Sequence, residues 1–296
     1  MHDDEIPIDS ELVRRLLQDQ FPRWANLPVE RVSSNGTDNE LFRLGSDMVV
    51  RLPRIHWAAH DAEKEQKWLP ILAPHLPVRI PTLLASGEPG NDYPWRWSIC
   101  RWLKGAHPQF HDIANPNQLA EEIGAFIAAL HRIRLPSDGP SAGRGIPLAD
   151  RDGFTREAIA ALDGMFDVRA LTQTWERVLD VAAWSRGPVW VHGDLSPGNL
   201  LLRHGHLDAV IDFGSLTTGD PASDFIVAWN LLPSRARLTL RETAHADADT
   251  WSRGRGWALS IALIQLPYYA TRNPPLAANA RYVISEVLAD VSTESE

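Results

Sequence analysis

Residues 191–199 read VHGDLSPGN, and residues 211–214 read IDFG. An apolar run precedes each segment, so Asp194 and Asn199 are expected in a loop that leaves a buried strand, with Asp212 at the end of another. A carboxylate such as Asp194 can orient a hydroxyl nucleophile and accept its proton, while Asn199 and Asp212 offer the hard oxygen ligands that Mg²⁺ prefers. The pattern predicts phosphoryl transfer to a hydroxyl group, with Asp194 as the catalytic residue and Asn199 and Asp212 as metal ligands.

The composition of the chain disfavours several other classes of protein. The chain has 296 residues with 29 Lys and Arg against 38 Asp and Glu, a formal net charge of −9, which disfavours a general nucleic-acid binder. Apolar runs are shorter than the roughly 18 residues of a membrane helix, and the first residues lack a basic signal region. Cys100 is the single cysteine, which excludes an intrachain disulfide. We expect a soluble, cytoplasmic protein with no membrane partner.

The chain divides into two regions of different character. Asp9 or Ser10 is expected to cap a first helix, in which residues from Leu12 to Gln20 recur near helical spacing. A second helix is expected over about 58–73. Short β-like runs occupy residues 29–34, 40–44, 48–52, 82–87 and 95–103. We therefore predict a small β-rich N-terminal lobe over residues 1–103, a hinge near 99–104, and a larger, mainly helical C-terminal lobe over 104–296. This is an α+β, bilobal architecture.

The C-terminal region begins with apolar residues at helical spacing, up to about His131. A Gly-, Pro- and Ser-rich stretch over residues 136–147 is expected to be a loop or a mobile connection. Helices are predicted over residues 151–162 and 170–184, and strands over 189–191, 200–203 and 207–213. Asn199 and Asp212 would face each other across the hairpin formed by the last two strands.

The N-terminal region offers a loop that could cover phosphates, between two predicted strands. Its residues are Ser34, Asn35, Gly36 and Thr37. With one glycine, the loop lacks a G-x-G-x-x-G signature, and an ordinary hairpin turn is the alternative interpretation.

Arg51 is the strand cation that could meet a nucleotide phosphate. The three lysines of the chain all lie outside the predicted strands, so an arginine has to supply the positive charge. Its guanidinium group binds phosphate as a planar fork of N–H donors. Glu65, on the predicted second helix, is the candidate partner of Arg51. The competing interpretations are a solvated helix glutamate for Glu65 and an exposed sheet face for Arg51.

In these residues the sequence resembles the aminoglycoside phosphotransferase family, within the protein-kinase-like fold. The resemblance covers roughly residues 30–230. It is carried mainly by residues 192–199 and 211–214, and also by GDPASD at 219–224, GTDN at 36–39 and ALH at 129–131. It implies phosphorylation of a hydroxyl group on a small molecule, often an antibiotic, with ATP and Mg²⁺. GTP is not excluded, because Arg51 stands where many relatives have lysine.

The resemblance also assigns roles to further residues. The backbone around Cys100 and Trp102 would meet the adenine edge, and Asp220 and Asp224 would brace the catalytic loop, although helix capping is an alternative for both. His192 is expected to fix the loop rather than act as a base.

The acceptor site is expected to face Asp194 from the C-terminal lobe. Most tryptophans on helices belong to the core, but aromatic and polar side chains can bind an acceptor. The candidate residues are Ser196, Trp229, Asn230, Trp251, Arg253, Arg255, Trp257, Tyr268 and Tyr269. From Lys104 onward the chain carries 17 basic and 23 acidic residues, a net charge of −6, which is compatible with a cationic aminoglycoside.

Three functions remain open at this point. The leading expectation is an antibiotic kinase acting on an aminoglycoside-like compound, a macrolide or a related molecule. A kinase of a primary metabolite such as an amino alcohol, homoserine or methylthioribose would use the same chemistry. A pseudokinase that only binds ligands is the third, and the complete set of Asp194, Asn199 and Asp212 argues against it. The oligomeric state is left open.

Overall fold

The computed structural model describes residues 6–33, 38–109, 113–141 and 143–293. The predicted phosphate loop of Ser34, Asn35, Gly36 and Thr37 lies outside these ranges. Within them, no helix combines the length and the apolar content that crossing a bilayer requires.

The N-terminal region is a five-stranded antiparallel sheet with two helices. In chain order the elements are α1 (Ser10–Gln20), β1 (Val29–Arg31), β2 (Asn39–Leu44), β3 (Met48–Pro53), α2 (His56–Leu72), β4 (Leu83–Gly87) and β5 (Trp97–Arg101). The strands are arranged in the order β1-β2-β3-β5-β4. Strands β1 and β5 are shorter than the predicted runs 29–34 and 95–103. The strand ladder of β1 ends at Arg31, with one further hydrogen bond from the Val32 N–H to the Leu41 carbonyl oxygen, and that of β5 runs from Trp97 to Arg101.

Helix α1 covers one face of this sheet. Asp9 caps the helix by accepting a hydrogen bond from the Leu12 backbone N–H at 2.8 Å. The spacing of the apolar residues places Leu12, Val13, Leu16 and Leu17 on one side, where they are buried against the sheet. The predicted first helix is confirmed, with Asp9 as its cap.

The C-terminal region is mainly helical and encloses a second, larger core. Its elements are α3 (Pro116–Arg132), α4 (Asp152–Ala161), α5 (Val168–Leu179), β6 (Val189–Val191), β7 (Leu200–Arg203), β8 (His206–Val210), β9 (Thr217–Gly219), α6 (Val227–Asn230), α7 (Ser234–Thr243), α8 (Ala248–Tyr269) and α9 (Pro274–Thr293). Strand β6 pairs with β9 and β7 with β8, both antiparallel. The predicted α+β class, with a small sheet region and a larger helical one, is confirmed.

One predicted helix of this region is too long, and one predicted loop is found as a loop. The predicted helix over 170–184 ends at Leu179, because the chain turns beyond it and the indole N–H of Trp184 donates to the carbonyl oxygen of Gly187. The stretch over 136–147 is a loop packed against β9 in its described part. The carbonyl oxygen of Pro140 accepts from the Thr218 N–H, and that of Gly145 from the Asp220 N–H, each at 3.0 Å.

The β7–β8 hairpin joins the two regions. Ala106 and Leu202 exchange two backbone hydrogen bonds, at 2.9 and 2.8 Å, along the edge of β7. On the edge of β8, the carbonyl oxygen of Arg79 accepts from the Val210 N–H at 3.0 Å. The predicted division near residues 103 and 104 falls in the segment between β5 and α3 and stays a prediction.

Candidate active site

The loop between β6 and β7 holds Asp194 and is shaped by Gly193. Gly193 has a φ of +81°, in the left-handed region that favours glycine. A β-carbon at this position would lie 2.7 Å from the β-carbon of Arg144 and 2.9 Å from the Ser215 carbonyl oxygen. Only glycine therefore lets the 143–144 segment approach the catalytic loop this closely.

Asp224 accepts hydrogen bonds from the backbone of the loop that holds Asp194. Its side chain has no exposed surface. One carboxylate oxygen accepts from the Gly193 N–H at 2.7 Å, and the other from the His192 N–H at 3.2 Å. The latter oxygen also lies 2.9 Å from His131 Nε2. These contacts are those of a brace for the catalytic loop, as the resemblance implies.

His192 links the same loop to the segment of Asp212. Its Nδ1 accepts from the Asp194 backbone N–H, and its Nε2 faces the Ile211 carbonyl oxygen, both at 3.2 Å. A neutral ring with its hydrogen on Nε2 satisfies both contacts. These contacts fit the expected loop-fixing role and leave no ring nitrogen for a substrate.

Asn199 orients Asp194. The side-chain amide nitrogen of Asn199 donates to the carbonyl oxygen of Asp194 at 2.7 Å and to its Oδ2 at 2.9 Å. Since the nitrogen is used in this way, Asn199 Oδ1 is the atom that remains as a metal ligand. The Asp194 side chain is 36% exposed, so its carboxylate is accessible to a substrate.

The charge state of Asp194 depends on its neighbours. Burial raises the pKa of the Asp194 carboxyl, and the nearby charge of Asp212 adds to this effect. Arg144 opposes it, because its Nη2 lies 3.9 Å from Asp194 Oδ1. Asp194 is thus a carboxylate whose basicity is increased above that of an exposed aspartate.

Asp212 lies beside Asn199, as the hairpin predicts. Asp212 has a left-handed backbone, with φ of 64° and ψ of 74°, and its Oδ1 faces the Gly214 N–H at 3.4 Å. The preceding residue, Ile211, donates its N–H to the Asn199 carbonyl oxygen at 2.9 Å. The strain of a left-handed aspartate is consistent with a residue held in place for function.

The donor atoms at this point fit Mg²⁺. Asp212 supplies a carboxylate and Asn199 an amide oxygen, which are hard ligands of the kind that Mg²⁺ binds together with phosphates and water. Over the described ranges, no three His, Cys, Asp or Glu side chains are grouped to hold a metal ion by themselves. A Mg²⁺ ion here would therefore need oxygen atoms of a bound nucleotide as further ligands.

Arg51 and Glu65 form a buried ion pair, as predicted. Arg51 Nη1 lies 2.5 Å from Glu65 Oε2, and the two side chains are 14% and 7% exposed. Glu65 Oε1 accepts from the Phe213 N–H at 2.9 Å, directly after Asp212. Burial disfavours the charged form of Arg51, but the charges of Glu65 and Asp212 outweigh it and raise the pKa of Arg51. The alternatives of a solvated Glu65 and an exposed Arg51 are excluded.

Lys64 makes a second link between α2 and this segment, which the sequence reasoning missed. Its Nζ donates to the Gly214 carbonyl oxygen and to Asp61 Oδ1, the latter at 3.0 Å. Because Lys64 is adjacent to Glu65 in a charged stretch, the sequence carries no signal that separates it from a solvated lysine.

Of the two residues predicted at the adenine edge, Cys100 lies within β5 and Trp102 directly follows the strand. Cys100 is buried between β3 and β4, where burial raises the pKa of its thiol. Trp102 donates its backbone N–H to the Asp47 carbonyl oxygen at 2.7 Å, and its ring stacks under the Arg43 guanidinium at 4.3 Å. The N–H of Trp102 is therefore occupied by the protein.

The predicted acceptor residues are placed in structural roles. Trp229 and Trp257 have no exposed surface, and Trp229 Nε1 donates to Asp290 Oδ2 at 2.6 Å. Asn230 donates from Nδ2 to the Leu195 carbonyl oxygen at 3.1 Å. Ser196 is half-buried in the catalytic loop, where its carbonyl oxygen accepts from the Asn199 N–H at 2.9 Å.

Arg253 is likewise structural. It forms a buried pair with Asp220, at 2.8 Å between Nε and Oδ2, with the two side chains 5% and 6% exposed. Its Nη1 donates to the Ala182 carbonyl oxygen at 2.7 Å. Burial on helices explains why neither Arg253 nor the two tryptophans lines a cleft.

A cavity of about 820 Å³ lies next to Asp194 instead. Its walls come from α2, the 138–144 loop, Gly214 and Ser215, Arg151, and residues 261–265 of α8. Arg144 lines the cavity and also lies 3.9 Å from Asp194, so one side chain separates the cavity from the Asp194 carboxylate. Arg144 and Arg151 were not predicted as site residues.

Comparison with known proteins assigns these features to one family. The profile of the phosphotransferase enzyme family matches residues 29–257, and the chain belongs to that family. The family and the general class of enzyme predicted from the sequence are confirmed.

Curated relatives are distant. The chain is 24% identical to an aminoglycoside 3′-phosphotransferase of Escherichia coli over 255 residues, which is 77% of this chain and 85% of the relative. Three other curated relatives are matched over 11%, 43% and 65% of their own lengths, so the chain spans less than two thirds of each.

Solved structures show the same fold at low identity. The GDP and kanamycin complex of an aminoglycoside phosphotransferase of the 2″ type superposes with a TM-score of 0.73 at 20% identity, over 94% of this chain and 98% of the other. Macrolide 2′-phosphotransferase MphH from Brachybacterium faecium gives a TM-score of 0.61 at 23% identity, over 93% and 98% of the two chains.

Proposed function

We propose that the protein transfers the γ-phosphoryl group of ATP or GTP to a hydroxyl group of a small molecule bound in the cavity beside Asp194. The observation that carries this proposal is the single hydrogen-bonded unit of Asp194, Asn199 and the Asp212 segment, which pairs a carboxylate base with adjacent oxygen ligands. Such a unit supplies the positioning and charge stabilisation on which phosphoryl transfer depends.

In the proposed reaction Asp194 orients the acceptor hydroxyl and takes its proton. The acceptor oxygen forms a bond to the γ-phosphorus, and the bond from that phosphorus to the β–γ bridging oxygen breaks. The bonding electrons leave with the nucleoside diphosphate. The raised pKa of Asp194 suits this role, because a more basic carboxylate accepts a proton more readily.

Asn199 Oδ1 and Asp212 would hold Mg²⁺, which supplies charge neutralisation at the β- and γ-phosphates when it is bound. Glu65 positions Asp212 by accepting from the Phe213 N–H, and it holds Arg51 at the same time. We assign Arg51 to the nucleotide phosphates and the loop of Ser34, Asn35, Gly36 and Thr37 to their cover. The carbonyl group of Trp102, which follows β5, would meet the base, since Cys100 is paired with β3 on one side and with β4 on the other.

The choice of nucleotide stays open between ATP and GTP. Similar structures are complexes of those proteins with GDP, ADP or ATP. We also propose a cytoplasmic location, where nucleoside triphosphates are available.

The acceptor class that the relatives suggest is an antibiotic. Structures similar to this one contain kanamycin or gentamicin, and others are macrolide phosphotransferases. A metabolite kinase would use the same residues, and only the walls of the cavity would differ. A pseudokinase is disfavoured, because the catalytic and metal-binding side chains are held together by hydrogen bonds.

Nucleotide turnover with an acceptor panel tests the proposal. The wild type is incubated with MgATP or MgGTP and with aminoglycosides, macrolides, amino alcohols, hydroxy acids and sugar derivatives. Formation of nucleoside diphosphate is measured together with the mass of the acceptor. We expect diphosphate and a phosphorylated acceptor in equal amounts. Tight MgATP binding with no turnover on any acceptor would instead support the pseudokinase.

A further inference from the structure

The cavity beside Asp194 carries an excess of positive charge. Two of its cations are neutralised within the protein: Lys64 lies 3.0 Å from Asp61, and Lys67 lies 2.6 Å from Asp138. All four of these residues line the cavity. After these pairs are set aside, two lining arginines remain, Arg144 and Arg151.

Arg151 is fixed in place without a carboxylate. Its Nε donates to Ser260 Oγ at 2.9 Å, and its guanidinium lies 4.8 Å from the centre of the Trp257 ring. Ser260 Oγ is itself held by Thr155 Oγ1 at 2.7 Å. Among the described residues, Arg151 has no acidic partner within 4.0 Å, and its two Nη groups have no hydrogen-bond acceptor.

The Arg151 side chain is half-buried, so it has lost part of its contact with water. Only Ser260 and the Trp257 ring are in contact with its charge among the partners described above. Burial, with a smaller contribution from the charge of Arg144, lowers the pKa of Arg151 to about 10. Among the residues that the structure describes, the acidic neighbour of Arg144 is Asp194, at 3.9 Å. An oxyanion between the two guanidinium groups would satisfy both, and the planar fork of arginine matches carboxylate and phosphate oxygens.

We propose that the acceptor is an anion, a hydroxylated small molecule whose carboxylate or phosphate group binds Arg151, with Arg144 between that group and Asp194. This inference rests on the proposed phosphotransferase function and names its substrate class. The two arginines repel a polycation such as an aminoglycoside. The net charge of −6 in the C-terminal lobe is therefore a poor guide to the acceptor, because the cavity next to Asp194 has the opposite sign.

The first test uses an inorganic anion and needs no turnover. Sulfate is titrated against the protein in saturating MgADP, which fills the nucleotide phosphate positions, and heat of binding is measured. We expect Arg151→Gln to weaken sulfate binding about tenfold or more, the equivalent of one or two charge-assisted hydrogen bonds. Arg169→Gln, at an exposed position on α5, is the matched control and should bind as the wild type does. Equal affinity of wild type and Arg151→Gln would overturn the inference.

The second test compares acceptors in pairs that differ only in the anionic group. A hydroxy acid is set against its amide, and a sugar phosphate against the free sugar, with kanamycin as the polycation. We expect turnover of an anionic member, and the two pairs separate a carboxylate from a phosphate. In Arg151→Gln the KM of that acceptor should rise by about tenfold with a smaller change in kcat, and Arg151→Lys should restore part of the affinity.

The outcomes separate the two proposals. Phosphorylation of kanamycin with a KM unchanged in Arg151→Gln would overturn the anionic acceptor and leave the phosphotransferase standing. A failure of every acceptor would count against the phosphotransferase, and the sulfate titration would then decide alone whether Arg151 is an anion site. Thermal unfolding of each variant tests whether it is folded. If Arg151→Gln does not fold, Arg151→Lys replaces it in both tests.

Discussion

Arg51 and Glu65 form a buried ion pair, with 2.5 Å between Nη1 and Oε2, on the path from the sheet to the metal-binding segment. The second oxygen of Glu65 accepts from the Phe213 N–H at 2.9 Å. A change at Arg51 therefore releases the glutamate that holds the segment of Asp212. Under the proposed function it also removes a cation from the nucleotide phosphates.

Arg51→Ala should impair the use of ATP severely, and Arg51→Lys should be partly active. The alanine variant leaves Glu65 as a buried charge without its partner, which costs about 3–5 kcal/mol. Lysine restores the charge but not the fork. The apparent KM for ATP and the free energy of unfolding in urea are measured, with Arg14→Ala, at an exposed position on α1, as control. An unchanged ATP dependence in Arg51→Ala would remove this residue from the nucleotide site.

Asp212→Asn should raise the Mg²⁺ concentration needed for activity. One oxygen ligand remains in this variant, but the negative charge is lost, and binding of hard cations depends strongly on ligand charge. A Mg²⁺ titration of the rate at saturating acceptor measures the effect, with the exposed Asp180→Asn as control. If the two variants and the wild type share one Mg²⁺ curve, Asp212 is not a metal ligand.

The pH dependence of the reaction should report Asp194. Burial raises the pKa of this carboxyl, so the deprotonated base exists only above the raised value and activity is lost as the pH falls through it. Arg144 lowers the pKa of Asp194, so Arg144→Gln should move the acid limb of kcat/KM to higher pH. Arg169→Gln should leave the limb in place. A limb that stays at the wild-type pH in Arg144→Gln would show that another group titrates.

Arg253→Met should lower stability without a matching effect on substrate use. Removal of one partner from the buried Arg253–Asp220 pair costs about 3–5 kcal/mol, because Asp220 keeps its charge in the core. The comparable change at Arg156, whose ion pairs are about half-exposed, should cost about 1 kcal/mol or less. Urea unfolding measures both. A raised acceptor KM in a normally stable Arg253→Met would return this residue to the list of acceptor contacts.

Local sequence was sufficient for the catalytic core of the site. Asp194, Asn199 and Asp212 lie on one loop and one hairpin, so their spacing along the chain already fixes which side chains can meet. The pairing of Arg51 with Glu65 could also be predicted, because a cation inside an apolar strand needs a buried anion. The structure brings all of these residues together.

The acceptor side could not be predicted in this way. Arg144 belongs to a Gly-, Pro- and Ser-rich stretch with no periodic signal, and it reaches Asp194 only because the loop packs on β9 and against Gly193. Trp229 and Trp257 were candidates because tryptophan is common in binding sites, but both side chains are fully buried between helices. Contacts that depend on how loops and helices pack over long distances leave no trace in spacing or composition.

The most direct test of the proposed phosphoryl transfer compares the transfer of a labelled γ-phosphoryl group by the wild type and by Asp194→Ala. We predict label on a small-molecule acceptor with the wild type. In Asp194→Ala, kcat should fall by about 10²- to 10⁴-fold, the usual contribution of a positioned base, while MgATP binding is retained. Label transfer at a wild-type rate by Asp194→Ala would contradict this proposal.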